Sequence, residues 1–355
     1  MNANPLQNIT KIEDDLWEAA DQLRANSKLT SNEYCMPVLG VIFLRHASNR
    51  YQSALKQIEA DQQAGKMAPR PLVSADFIKR RALMLPEQAR YDNLLTLSSD
   101  TVLSTALVAA MEAIEADFQP LKGVLPKDYD IFDNTLLEDL LRIFDSQALR
   151  TASGDVFGRI YEYFLMKFAI QGAQDNGEFF TPPSLVQLIV NMIQPDHGVI
   201  HDPACGSGGM FVQTGHFIED QGKAGSVNEA ITCYGTELKS NNAKLAKMNL
   251  AIHGIEGTVI ESNSFYTNPH ELVGQCDFVM ANPPFNVNKV DKKSDYVKTD
   301  NRLFDDVGIP KADNGNYLWI QYFYHYLNEQ GRAGFVMASS ATDAGNSEKA
   351  IRQRL

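Results

Sequence analysis

GVIHDPACGSGG, residues 198–209, is the stretch that decides how this chain reads. A short β-branched run stops at Asp202, a glycine-rich turn follows, and MFVQTGHFIED continues with helical spacing. Strand, tight turn and helix in succession open a βαβ unit. Toward the C-terminus the same texture recurs in ITCYGTEL, GTVIES, CDFVMANPP and RAGFVMAS, most of them separated by stretches long enough for a helix. This rhythm predicts an α/β domain with a mainly parallel sheet and helices on both faces. Ligands of such sheets bind beyond the carboxyl ends of the strands. Four of the five runs end there in unusual residues: DPACGSGG, TEL, NSF and NPPF.

Toward the N-terminus the texture changes. LWEAADQLRANS, SALKQIEADQQAG and TVLSTALVAAMEAIEADF carry apolar residues at helical spacing, and turn clusters such as KMAPRPLVSAD separate them. A helical domain over 1–150 and an α/β domain over 151–355 are expected, in line with 355 residues at roughly 150 per domain. The 44% hydrophobic and 21% charged residues are those of an ordinary globular protein. Forty-four acidic against 32 basic side chains leave a formal net charge of -12, which excludes coating nucleic acid through the whole surface. Any DNA contact must be local or borrowed from a partner. The longest apolar stretch, Tyr34 to Leu44, contains Pro37 and falls far short of the roughly 20 residues of a membrane span. The polar, acidic start lacks a secretion signal, so a cytoplasmic protein with no membrane partner is expected. Cys35, Cys205, Cys233 and Cys276 are scattered and no histidine stands at ligand spacing, which predicts reduced thiols and no metal site.

The strand ends carry the chemistry. Gly206, Gly208 and Gly209, with Ser207 among them, let the backbone approach a ligand and leave helix N–H groups pointing at it. A nucleoside is the natural occupant, although the run is not G-x-G-x-x-G and a merely structural turn would use the same residues. Glu237 ends the second strand, where a carboxylate accepts hydrogen bonds from both ribose hydroxyls; a solvated glutamate is the plainer alternative. Asn263 closes the third strand, placed either to meet an adenine edge or to cap Ser264-Phe265. Asn282-Pro283-Pro284-Phe285 follows DFVMA. Two prolines donate no backbone hydrogen bond, so the strand stops there. The Asn282 amide oxygen and the Pro283 carbonyl can then accept the two hydrogens of one planar amino group, with Phe285 stacked on the ring that carries it.

GEFFTP at 177–182, then DPACGSGG, Glu237 and NPPF, resemble in that order the motifs of the amino-group DNA methyltransferases whose cofactor segment precedes the glycine loop. More narrowly, the chain is similar to the modification subunits of type I restriction-modification systems: the helical N-terminal part, GRIYEYFL before GEFFTP, and NYLWIQYFYHYL leading to GRAGFVM all fit, over nearly the whole chain. The resemblance implies a Rossmann-like methyltransferase domain that uses S-adenosylmethionine. Glu178, Phe179, Phe180, Thr181, Pro182 and Pro183 would hold the methionine end of the cofactor. Asp202, Gly206, Ser207, Gly208 and Gly209 would lie beside it, with Glu237 on the ribose and Asn263 where the family often has Asp. Asn282, Pro283, Pro284 and Phe285 would hold the target base, adenine rather than cytosine because cytosine enzymes more often carry Ser at the first position. The implied partners are DNA with the adenine flipped from the duplex, a specificity subunit that reads the sequence, a second modification subunit and a restriction subunit. Relatives continue past EKAIRQRL, so a catalytic domain truncated at its C-terminal end is expected.

The chemistry agrees with this family. Adenine's amino nitrogen is a poor nucleophile because its lone pair is delocalised, and two acceptors aimed at its hydrogens favour the pyramidal form. A carbon-5 cytosine methyltransferase needs a cysteine nucleophile, and none of the four cysteines follows a proline in a suitable loop. A protein glutamine methyltransferase faces the same problem of delocalisation and is the competing enzyme; a non-catalytic cofactor-binding assembly subunit is the competing non-enzyme. Residues 286–315 form a long connection with Lys289, Lys292, Lys293, Lys298 and Arg302 beside the base pocket. It reads either as a lid whose cations touch phosphate or as a solvated disordered loop. Lys79-Arg80-Arg81 is a weaker basic patch, more in keeping with a wet helix face.

Overall fold

The computed structural model describes residues 5–98, 100–152, 154–176, 181–223, 227–311 and 313–355. Two compact units result: Met1–Phe180 with Ile252–Gly254, and Thr181–Ala251 with Ile255–Leu355.

The first unit is built on the helices Pro5–Ser27, Ser31–Gln63, Leu103–Asp117, Asn134–Ile143 and Gly154–Asn176. The longest of them begins at a capping box. The Glu33 N–H donates to the Thr30 hydroxyl, while the Thr30 N–H donates to the Glu33 carboxylate at 2.9 Å. Each orphan donor of the first turn is thereby satisfied, which starts the helix where it does. Its run Val38–Ser48 is buried throughout, so the most apolar stretch of the sequence is a core helix. The Arg45 head group on this helix is held by Asp145 at 3.2 Å and lies over the Tyr91 ring. Trp17 meets Phe164 and Phe168 edge-on, at centroid distances of 5.3 and 5.0 Å. Among the described residues no helix is long and apolar enough to cross a membrane. Of the basic patch, Arg80 is held by Asp61 at 2.5 Å and donates to the Asp76 carbonyl, so it braces its own turn.

The second unit contains one sheet of five parallel strands: β1 Gly198–Asp202, β2 Ile231–Glu237, β3 Gly257–Glu261, β4 Cys276–Ala281 and β5 Leu327–Phe335, in the order β3-β2-β1-β4-β5. All five predicted runs are strands. The last starts five residues earlier than its most apolar part, and the register shifts between Cys276 and Phe278 to absorb the extra residues. Side chains alternate between the faces with period two. Ile200, Ile231, Cys233, Phe278 and Met280 pack with the helices Pro183–Ile193, Gly209–Ile218 and Ser240–His253. Val279 and Ala281 pack with Phe265, Val297, Leu303 and the helix Asn316–Tyr326 on the other face. The chain moves outward from β1 to β3 on one side, then returns to place β4 on the other flank of β1. That reversal makes the carboxyl ends of β1 and β4 the switch point at which sheets of this kind open a crevice for ligands.

Residues 286–315 are neither a simple lid nor a solvated coil. Their ends are clamped: the Asn286 N–H donates to Asn316 Oδ1 at 2.9 Å and Asn316 Nδ2 returns a bond to Asn286 Oδ1 at 2.8 Å. Their middle is anchored by Arg302, fully buried, paired with Asp300 at 2.7 Å. Arg302 also donates to the Tyr326 hydroxyl at 2.8 Å and the Ser264 carbonyl at 3.0 Å, and its guanidinium lies 4.0 Å from the centroid of the Tyr322 ring. The expectation that Arg302 meets phosphate is therefore wrong. Packing of its plane and stem against tyrosines turned a surface-type residue into a core one. Lys292 is likewise spent on the Pro310 and Asn314 carbonyls, whereas Lys289, Lys293 and Lys298 remain exposed.

Candidate active site

Four strand ends meet at the crevice. β1 ends on Asp202, which is buried and accepts from the Ala204 N–H at 3.0 Å. Burial pushes its carboxyl up to about 8, the Ala204 bond opposes this, and the neighbouring Glu237 adds to it. The folded state therefore holds a proton that the unfolded chain releases near pH 4, so stability falls as the pH rises from about 4 to 8. The thermal midpoint of the wild type is expected to drop across that window more steeply than that of Asp202→Asn. Parallel curves for the two proteins would contradict the assignment.

After Asp202 the chain turns through Gly206 and Gly208, with φ of 54° and 79°, into the helix Gly209–Ile218. Both lie in the left-handed region that glycine tolerates. A Cβ at Gly206 or Gly209 would meet nothing within 4 Å, so the turn borders open space, whereas at Gly208 it would touch Ala246 at 3.4 Å. Glu237, at the end of β2, accepts from the Gly206 N–H and the Lys239 N–H, each at 2.9 Å. One bond falls on each carboxylate oxygen, so lone pairs remain on both. Ser264 completes the tie by donating to the Pro203 carbonyl at 2.6 Å. Asn263 Oδ1 accepts from the Phe265 N–H at 3.0 Å, the capping geometry, which leaves its amide hydrogens for another partner.

β4 ends at Ala281, and the Asn282 amide Nδ2 donates to the Thr181 hydroxyl at 2.8 Å. The opposite atom, Asn282 Oδ1, is buried with no hydrogen-bond partner among the described residues. Thr181 and Pro182 lead into the helix Pro183–Ile193, with Pro183 at its first position. Pro283 is buried, Pro284 exposed, and the Phe285 ring is 40% exposed. Glu178, Phe179 and Phe180 lie outside the described residues. Two participants escaped notice in the sequence. Asn249, 1% exposed, donates to the Ser207 carbonyl at 3.0 Å and so props the glycine turn from behind. Its signal was an amide at the helical spacing of Ala243, Ala246 and Leu250, all buried. Leu238, 61% exposed beside Glu237, is an apolar side chain left in the open at the crevice.

An orphaned amide acceptor, an acid with free lone pairs and a glycine turn facing open space, all on one parallel sheet, define the class: a Rossmann-like methyltransferase domain. The profile of the N-6 DNA Methylase family matches residues 152–355, and that of the HsdM N-terminal domain matches residues 12–144. The chain belongs to the N-6 DNA methylase family. It is 34% identical, over 97% of its length, to the methylase subunit of the type I restriction enzyme MjaIX of Methanocaldococcus jannaschii, of which it spans 64%. It is 36% identical over 69% of its length to the HindI methylase subunit of Haemophilus influenzae, of which the match spans 57%. The chain thus spans less than two thirds of the curated relatives it matches. The fold is that of the methyltransferase subunit of a Streptococcus thermophilus type I restriction-modification system, with a TM-score of 0.75 at 19% identity over 97% of this chain and 78% of that one.

Proposed function

We propose that this chain is the modification subunit of a type I restriction-modification complex and methylates the 6-amino group of adenine in DNA. The observation that carries the reading is the Asn282 amide oxygen, which follows β4 and is buried without a hydrogen-bond partner among the described residues. A buried acceptor left unmatched costs about 1–3 kcal/mol, and a donor on the substrate removes that cost.

The cofactor that fits is S-adenosylmethionine, which supplies an activated methyl group when bound. Glu237 receives the ribose hydroxyls on its remaining lone pairs, Leu238 offers apolar surface to the adenine of the cofactor, and Asn263 has amide hydrogens for the edge of that ring. Thr181, Pro182 and Pro183 border the methionine end together with Asp202, Gly206, Ser207, Gly208 and Gly209. Asn282 Oδ1 and the Pro283 carbonyl accept the two hydrogens of the target amino group, and Pro284 keeps the turn open. Positive charge grows on the nitrogen as it takes the methyl group, so both bonds strengthen and the stabilisation is concentrated in the transition state. Flipping the base costs a few kcal/mol, and stacking on the exposed Phe285 ring returns about 1–3 kcal/mol.

A chain with a net charge of -12 is poorly suited to reading DNA alone, which supports a specificity subunit as the reader, with a second modification subunit and a restriction subunit in the full complex, in the cytoplasm. The match of residues 12–144 to the HsdM N-terminal domain favours this reading over a glutamine-bearing protein substrate or a non-catalytic role. Calorimetric titration of the purified chain with S-adenosylmethionine tests the pocket. Saturable binding that Glu237→Ala weakens by about tenfold or more, roughly 1.4 kcal/mol, is expected. Equal affinity in the two proteins would remove Glu237 from the site, and no binding by the folded wild type would remove the cofactor assignment.

A further inference from the structure

A side-chain amide is planar and two-faced: rotating it by half a turn exchanges an acceptor for a pair of donors. Only one of the two orientations of Asn282 serves an incoming amino group, because the other points N–H at N–H. A partner for Nδ2 on the side away from the substrate therefore steadies the amide in the working orientation, and the amino hydrogens of the base, which only an oxygen can accept, complete the selection. In this fold that partner is the Thr181 hydroxyl, 2.8 Å from Nδ2, while Oδ1 is buried with no hydrogen-bond partner among the described residues.

Thr181 is well placed for the task. Two prolines follow it and fix the backbone dihedral φ of the turn. Their missing N–H groups also mean that neither of these residues competes for the amide oxygen of Asn282. The helix Pro183–Ile193 begins directly afterwards and is pinned to the sheet by Val186, Ile189, Val190 and Ile193, all buried. On β4, Phe278 and Met280 belong to the same buried cluster as the apolar residues of that helix, and period-two alternation directs Asn282 to the same side. The hydroxyl is thus carried by a rigid element on the face to which the strand aims the amide.

We propose that Thr181 is a positioning residue for methyl transfer: by accepting from Asn282 Nδ2 it holds the amide oxygen toward the amino group to be methylated. This rests on the reading of Asn282 as an acceptor for adenine, and it assigns Thr181 a task separate from bordering the cofactor. The hydroxyl bonds Asn282 Nδ2, so the effect of this bond is read in the turnover step.

Thr181→Val removes the acceptor at nearly constant volume, and Thr181→Ser retains it. With the chain assembled with its specificity subunit on duplex DNA carrying the recognised sequence, Thr181→Val is expected to lower kcat about tenfold or more, the loss of one hydrogen bond that orders a reacting group. The loss should persist at saturating S-adenosylmethionine, which separates it from any weakening of cofactor binding, and Thr181→Ser should restore kcat to within about threefold. Adding Thr181→Val to Asn282→Ala should cost little more, because the two side chains act as one unit. Thr181→Ala reads the same split should valine not fit the turn. Unchanged kcat in Thr181→Val, equal impairment in the serine variant, or a loss confined to cofactor affinity would each overturn the proposal. A wild-type complex that transfers no methyl group to adenine would instead overturn the reading of the site on which it rests.

Discussion

Asn282→Ala is expected to abolish measurable methyl transfer while leaving the cofactor pocket intact. Removing one preorganised hydrogen-bonding group from a transition state costs about 100- to 1,000-fold in kcat, or roughly 3–4 kcal/mol. Here the loss falls at the upper end, because Oδ1 is buried and unmatched, and an acceptor in a water-poor pocket is worth more than one in solvent. Affinity for S-adenosylmethionine should change by less than about threefold, since the proposed ribose acceptor Glu237 stands on β2 rather than β4. The measurement is single-turnover transfer of labelled methyl to duplex DNA by the assembled complex, with calorimetry of the chain alone. A variant that keeps more than about a tenth of wild-type turnover would mean that the Pro283 carbonyl suffices and that Asn282 is not the principal acceptor.

Arg302→Met should destabilise the second unit by about 3–5 kcal/mol, the range for removing one partner of a buried pair. Asp300 and Arg302 have side-chain exposures of 1% and 0%, so the substitution strands a carboxylate in the core. It also removes the bonds to Ser264 and Tyr326 and the contact with the Tyr322 ring. Urea unfolding followed by Trp319, buried in the same cluster, reports the change when Trp17→Phe is the common background. Adding Asp300→Asn should recover part of the loss, because the stranded charge goes with it. A single-substitution cost below about 1 kcal/mol would show that the 286–315 segment holds its place by apolar packing of Val297 and Leu303 alone. Because Ser264 also holds the Pro203 carbonyl, the arginine supports the glycine turn at one remove.

Much of this was open to view in the linear chain. Each β-branched run in the second half became a strand, because five to nine residues of that composition between turn signals have few other ways to bury themselves. The ends of those strands carried the glycine turn, the acid and Asn-Pro-Pro-Phe, and a parallel sheet necessarily gathers such ends at one edge. Asn263 kept both of its readings: its oxygen caps the turn and its amide hydrogens stay available. The five cations of 286–315 could not be told apart in sequence, since Lys and Arg are surface residues by default. Burial separated them, sending Arg302 into the core, Lys292 onto two carbonyls and the other three to solvent.

By itself, then, the sequence determined the class of fold, the order of its motifs and the chemical types at each strand end, because period-two and helical patterning and the backbone habits of Gly and Pro are local properties. Only the tertiary structure decided which of these groups meet. Thr181 and Asn282 lie 101 residues apart, and their contact depends on β4 returning to the flank of β1 beneath the helix Pro183–Ile193. Sheet order is a property of long-range packing, to which no short stretch of residues is committed, and it is that order which brings the Asn282 amide nitrogen to the Thr181 hydroxyl and leaves its oxygen buried without a partner among the described residues.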